Sequence, residues 1–165
     1  MNRQNEQRRQ KWEHDGLITA IAFGGFLITL GIVFAITPDL PQKINSFFGD
    51  ITTQRLPFGN LANVMLPAPQ NPSTHMDLYT AVMQFDIGIA LLQVIILALR
   101  LGFVSRTHRI AETVGNLVFW AGAAVLTNTL LQTGTLKGWF EYWAALIIVI
   151  GVSLVARSLV SFAKK

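Results

Sequence analysis

Tyr79, Asp86, Gln93 and Arg100 stand seven residues apart within one apolar stretch, "LYTAVMQFDIGIALLQVIILALRL", Leu78 to Leu101. A seven-residue repeat drifts only about 20° per step on a straight helix, so the four polar tips form one stripe. A stripe of this kind faces protein or water. An acid followed one heptad later by an amide suits two roles: lining a path for protons or ions, or hydrogen-bonding helices together. At 1.5 Å per residue, Asp86 lies roughly 12 Å inside a bilayer entered at Leu78, where an ionised Asp costs about 2.5 to 3.5 kcal/mol. It is therefore neutral, paired or wet. No Lys or Arg shares its depth, and Arg100 is fourteen residues away. The expectation is a protonated Asp86 hydrogen-bonded to Thr127 or Asn128 of a later apolar block. The competing state is an ionised Asp86 reached by Arg55 or Lys43 from a re-entrant loop, or by water. Asp86, Gln93, Thr127 and Asn128 make up the candidate intramembrane polar site.

No other chemistry is written in the chain. Without cysteine there are no disulfides, thiolate zinc sites, iron-sulfur clusters or cysteine nucleophiles. G-x-S-x-G, H-E-x-x-H and a Walker loop are absent, and no second intramembrane carboxylate makes a dyad with Asp86. No catalytic residue, metal site or cofactor is implied, and the chain does not read as an enzyme. His75 and Asp77 lack the number and spacing of metal ligands. Thr74 followed by Asp77 is instead a capping-box pattern that starts a helix at about His75. His14 and His108 fall in charged segments and read as solvated.

The elements that position these residues follow from composition. Of 165 residues, 52% are hydrophobic and 13% charged, about half the charge of an average soluble domain. The apolar residues gather in four blocks, 17–36, 78–99, 113–131 and 142–163, each with roughly the 20 residues that a helix needs to cross about 30 Å of hydrocarbon. A chain this small cannot wrap four all-round-apolar helices in amphipathic ones. The sequence therefore predicts an all-α, polytopic membrane protein, a bundle of four transmembrane helices forming one domain over 17–163. Its first span reads as an uncleaved anchor, since it is long for a signal peptide and "GIVFAITPDL" offers no A-x-A site.

Ten of thirteen Lys and Arg residues lie on one side: Arg3, Arg8, Arg9 and Lys11; Arg100, Arg106 and Arg109; Arg157, Lys164 and Lys165. Lys43, Arg55 and Lys137 lie on the other. The positive-inside rule then places both termini in the cytoplasm, with 1–16 a cytoplasmic segment and 37–77 an outer loop of a multi-pass cell-membrane protein. The basic residues cap apolar blocks rather than clustering on an exposed face, which argues against nucleic acid as a partner despite a net charge of +4. In the loop, "KINSFFGDI" sets Ile44, Phe47, Phe48 and Ile51 on one face of a short interfacial helix. Pro57, Gly59, Pro67, Pro69 and Pro72 then impose turns and extended backbone. Trp12, Tyr79, Trp139, Tyr142 and Trp143 read as interfacial anchors.

Small residues mark close helix contacts: Gly24, Gly25 and Gly31 on the first span, and Gly115 and Gly122 on the third. Glu112 and Arg157 can pair at the inner ends of spans three and four. No internal repeat is present. "LYTAVMQFDIGIALLQVIILALRL" followed by "RIAETVGNLVFWAGAAVLTNTLL", with "LPAPQNP" before them, resembles a group of small, uncharacterised integral membrane proteins of archaea. The resemblance implies a four-span fold and no activity. Two functional classes follow. The first is a structural or accessory protein that binds the bilayer and either copies of itself or another membrane protein. The second is a small transporter, channel or proton-relay component using Asp86 and Gln93.

Overall fold

A computed structural model describes residues 3–59, 63–103 and 107–163, with side chains from Gly16 onward. The basic residues Arg3, Arg8, Arg9, Lys11, Arg106, Lys164 and Lys165, and with them Trp12 and His14, lie outside the described side chains. The elements run α1 (Arg3–Ile36), α2 (Leu40–Asp50), β1 (Ile51–Arg55), β2 (Met65–Pro69), α3 (Met76–Gly102), α4 (Thr107–Thr129) and α5 (Leu136–Phe162), with short 3-10 turns at Pro72–His75 and Leu131–Thr133. Four helical stretches are long and apolar enough to cross a membrane: Gly16–Ile36, Pro72–Gly102, Thr107–Thr133 and Leu136–Phe162. The third and fourth begin about six residues before the apolar blocks do, because hydropathy marks the greasy part of a helix and not its polar first turns. In the same way α1 starts at Arg3 and continues without a break into the apolar block.

The surface of these helices is strongly apolar. Phe23, Ile147 and Phe162 are 65%, 70% and 72% exposed, and Ile28, Leu91, Val125 and Leu159 are similarly bare. Such a continuous apolar surface suits hydrocarbon rather than water. Inside, α3 packs on α1 and α4, and α4 packs on α5. The helices thus pack in series, with no extended contact between α1 and α5 among the described residues.

The α1–α3 seam is Ile18, Ile89, Leu92 and Ile96, flanked by Ala22, Phe85 and Trp120. Its closest approaches use Gly25, where an added Cβ would strike Leu92, and Gly88, where it would strike Thr29. Gly24 and Gly31 were expected at such a contact and are not: nothing lies within 4 Å of a Cβ at either. Gly24 and Gly25 are 100° apart on the helix, so only one can face α3. On the α4–α5 seam, a Cβ at Gly115 would lie 3.1 Å from the Ser153 carbonyl oxygen, and one at Gly122 would lie 2.6 Å from Val149 Cγ1.

The expected outer loop is more ordered than a loop. α2 has Pro at its start and packs Leu40 and Ile44 against Val33 and Ala81. Its packed face continues through Phe47; Phe48 is 69% exposed, and Ile51 belongs to β1. The all-α expectation also yields to an antiparallel hairpin, in which Ile51 pairs with Pro69 and Thr53 with Pro67. The prolines fit because Gln70 N–H donates to Asp50 O and Leu56 N–H to Val64 O. That phase puts Pro67 and Pro69 at non-hydrogen-bonded pairs, where a missing N–H costs no ladder bond. Trp139 Nε1 donates to Pro67 O at 3.4 Å and fastens the hairpin to α5.

Candidate functional site

Asp86 projects from α3 into the junction of α3, α4 and α5 and is 4% exposed. Thr127, wholly buried on α4, donates its hydroxyl to Asp86 Oδ2 at 3.4 Å. The Tyr142 phenol on α5 belongs to the same group, interacting with Thr127 and Asp86. No ion pair engages Asp86 among the described residues. Lys43 is bound to Asp77 at 2.8 Å, and Arg55 sits on β1.

Asn128, the other expected neighbour of Asp86, is exposed and lines a groove between α3 and α4 with Ile87, Leu91, Ala121 and Val125. One residue beyond Thr127 turns the side chain by 100°, out of the junction. Tyr79 and Tyr142 are not interfacial anchors either. Both are buried in a cluster with Leu131, flanked by Phe47, Met76 and Trp139, whereas Trp143 stays half exposed.

The stripe on α3 is thus divided. Gln93 and Arg100, one and two heptads beyond Asp86, line a polar cavity of about 370 Å³ with Glu112, Thr113, Asn116 and Arg157, and Ala22 adds a surface from α1. All four long helices contribute. Between this cavity and Asp86 lie Ile89 and Leu92, packed with Phe85 and Trp120, whose rings meet edge to face at 5.8 Å.

Within the cavity Arg157 Nη2 lies 3.2 Å from Glu112 Oε1 and 3.2 Å from His108 Nε2. Arg100 donates Nη1 to Thr113 Oγ1 at 2.6 Å and to the Arg109 carbonyl. Thr113 in turn donates to Arg109 O at 3.0 Å, an ordinary back-bond within α4. Gly115 allows this cluster to form, because the Arg157 stem runs directly over it.

A second polar group at the opposite end has no counterpart in the sequence reading. His75 is buried at the start of α3, and its Nε2 lies 2.9 Å from Asp50 Oδ2 at the end of α2. Asp50 also accepts from Asn71 N–H at 2.8 Å and Asn71 Nδ2 at 3.3 Å. The Asn71 backbone bond, aided by His75, holds the Asp50 carboxyl below the usual carboxylate range. Phe47 meets the His75 ring edge to face at 5.2 Å, and the buried Tyr79 hydroxyl nearby has no hydrogen-bond partner among the described residues.

This group ties α2, the hairpin and α3 together. The capping box expected here is not made. Thr74 donates instead to Asn71 O at 2.7 Å, and Asp77 is held by Lys43. Among the described residues no three His, Asp or Glu side chains gather as a metal site. Compared with protein-family models, curated proteins and solved structures, the chain matches none.

Proposed function

We propose that this chain is a multi-pass membrane protein with both termini cytoplasmic, acting as a structural or accessory subunit that binds another membrane helix along α1. The observation that carries this reading is the position of α1. It leans on α3 through Ile18, Gly25 and Thr29, while Gly24 and Gly31 on nearly the opposite side meet nothing. Small residues on an unpartnered membrane helix let a second backbone approach closely. A homo-oligomer and a complex with a different membrane protein both fit, and the resemblance to small archaeal membrane proteins agrees with the four-span part of the reading.

The test is the protein mass of the particle extracted in mild detergent. A mass above the 18.3 kDa of one chain is expected, falling to one chain in Gly24→Leu/Gly31→Leu. A single chain in the wild type would remove the basis of the proposal.

The second reading, a proton or ion path through Asp86 and Gln93, draws support from the cavity that reaches Gln93 one heptad from Asp86. The apolar layer of Ile89, Leu92 and Trp120 argues against continuity. Asp86→Asn separates the two. Loss of pH-dependent flux in proteoliposomes would favour the path, and intact stability without any flux in wild type or variant would favour the structural role.

A further inference from the structure

We propose that β1 is a docking edge for a second copy of this chain, the two β1 strands pairing antiparallel about Thr53 and joining their hairpins into one sheet. The two edges of the hairpin are built differently. On β2 the outward edge is closed. Pro67 and Pro69 have no N–H to offer, the Pro67 carbonyl accepts from Trp139, and α2 and α5 pack against the strand, with Ala68 and Pro69 buried. β1 contains no proline or lysine, and among the described residues no strand but β2 runs beside it. Thr52, Thr53 and Arg55 are exposed.

The ladder phase decides what the open edge offers. Gln70 N–H donates to Asp50 O and Leu56 N–H to Val64 O, so Asp50, Thr52, Gln54 and Leu56 are the positions that bond to the β2 side. The N–H and C=O groups of Ile51, Thr53 and Arg55 therefore point the other way, out of the hairpin. Such a row of backbone groups is a template for another strand.

The occupant follows from symmetry. With Thr53 opposite Thr53 of the second copy, Ile51 falls opposite Arg55 and Arg55 opposite Ile51. In every one of these pairs both residues aim their N–H and C=O across the seam. The strand is thus its own complement, as a twofold interface requires, and centring on Thr53 uses its whole length. The side chains agree. Ile and Thr favour strands, and the threonines meet at the centre. Arg55, the one charged residue, faces an isoleucine and stands roughly 13 Å along the ladder from its own copy, beyond a Debye length.

A ladder of five residues is weak by itself, so the contact belongs to the crowded plane of the membrane. It does not rest on the α1 reading, which is judged by particle mass in detergent, where so short a ladder dissociates; the two can fail separately.

The experiment is disulfide trapping in native membranes that hold two differently tagged copies of the full chain, which has no cysteine of its own. Thr52 and Gln54 share a face of β1. Across the seam they form a non-hydrogen-bonded pair with Cα atoms about 4.5 Å apart, within disulfide reach. Thr52 lies about 7 to 8 Å from Thr52 of the other copy, which is too far. Thr52→Cys mixed with Gln54→Cys should therefore cross-link several-fold more than either variant alone. Adding Thr53→Pro to both removes the central N–H without touching the ladder to β2, so the hairpin amides should stay protected while the cross-link is lost. Should the proline variant fail to fold, Thr53→Lys sets like charges opposite each other and should suppress the cross-link in its place. A mixed yield no higher than that of either variant alone, a yield unchanged by Thr53→Lys, or capture of a different polypeptide instead of the second copy overturns the proposal.

Discussion

Gly122 is the point at which the α4–α5 seam is most sensitive to a single methyl group. A Cβ there would lie 2.6 Å from Val149 Cγ1, 3.2 Å from Cγ2 and 3.5 Å from Cβ. Real Cβ atoms do not approach carbon so closely, and Val149 cannot yield easily, since a β-branched side chain in a helix has one strongly preferred rotamer. Gly122→Ala therefore sets overpacking of about 1 to 3 kcal/mol against a helix-propensity gain of at most about 1 kcal/mol. A net loss of roughly 0 to 2 kcal/mol follows. In a Val149→Ala background the two clashing methyls are gone, and Gly122→Ala should become neutral or stabilising. The coupling should then be about 1 to 3 kcal/mol, large for a pair of small residues. Reversible unfolding in mixed micelles, followed by circular dichroism, measures all four corners of the cycle. Gly151→Ala, on α5, is the internal control, because nothing lies within 4 Å of a Cβ there. An effect of Gly122→Ala that is the same in the wild-type and Val149→Ala backgrounds would show that the two residues do not meet, and the seam would be wrong.

Two further outcomes concern the end of the molecule that carries the hairpin. Because hydrogen bonds from Asn71 N–H and from His75 depress the Asp50 carboxyl, its contribution is fully present above the unfolded value near 4 and is lost as pH falls through the folded value. Amide exchange in the hairpin should stay protected near neutral pH and loosen below about pH 4, with Asp50→Asn loosened already at neutral pH; a hairpin equally protected in the variant would contradict this. Since the chain has no native cysteine, single-cysteine labelling gives topology directly. A cysteine at Asn63 should react with an impermeant reagent from outside intact cells and one at Arg106 only after lysis, and the reverse pattern would invert the orientation.

The spans are legible in the sequence because their signal is additive. Roughly twenty mostly apolar residues are enough to mark a helix long and apolar enough to cross a membrane, and neighbouring polar turns shift only the helix ends, as at Thr107 and Leu136. Contacts that depend on angle are less legible. Whether Gly24 or Gly25 faces α3, and whether Thr127 or Asn128 faces Asp86, turns on a 100° rotation that composition does not encode. The Glu112 to Arg157 approach can be named because both residues sit near helix ends on the same side of the apolar blocks. The Asp50 to His75 contact cannot, since it joins residues 25 apart and exists only after a hairpin has formed. That hairpin is hidden by Pro67 and Pro69, which read as breakers unless the ladder phase is known. Tyr79 and Tyr142 depart from their expected places for a related reason. An aromatic ring near a helix end suits an interface, and here α2 and the hairpin cover that end of the helices instead.

The claim that α1 presents a partner-binding face is tested most directly by a cysteine scan along it, with homobifunctional and photoactivated maleimides applied to native membranes. Ile18, Ala22, Gly25, Thr29 and Val33 fall on the side packed against α3, while Gly24, Leu27 and Gly31 fall nearly opposite. Cross-linking to a second polypeptide should peak at positions 24, 27 and 31 and dip at 25, 29 and 33. A flat profile, or no adduct at any position, would mean that this face of α1 meets only lipid.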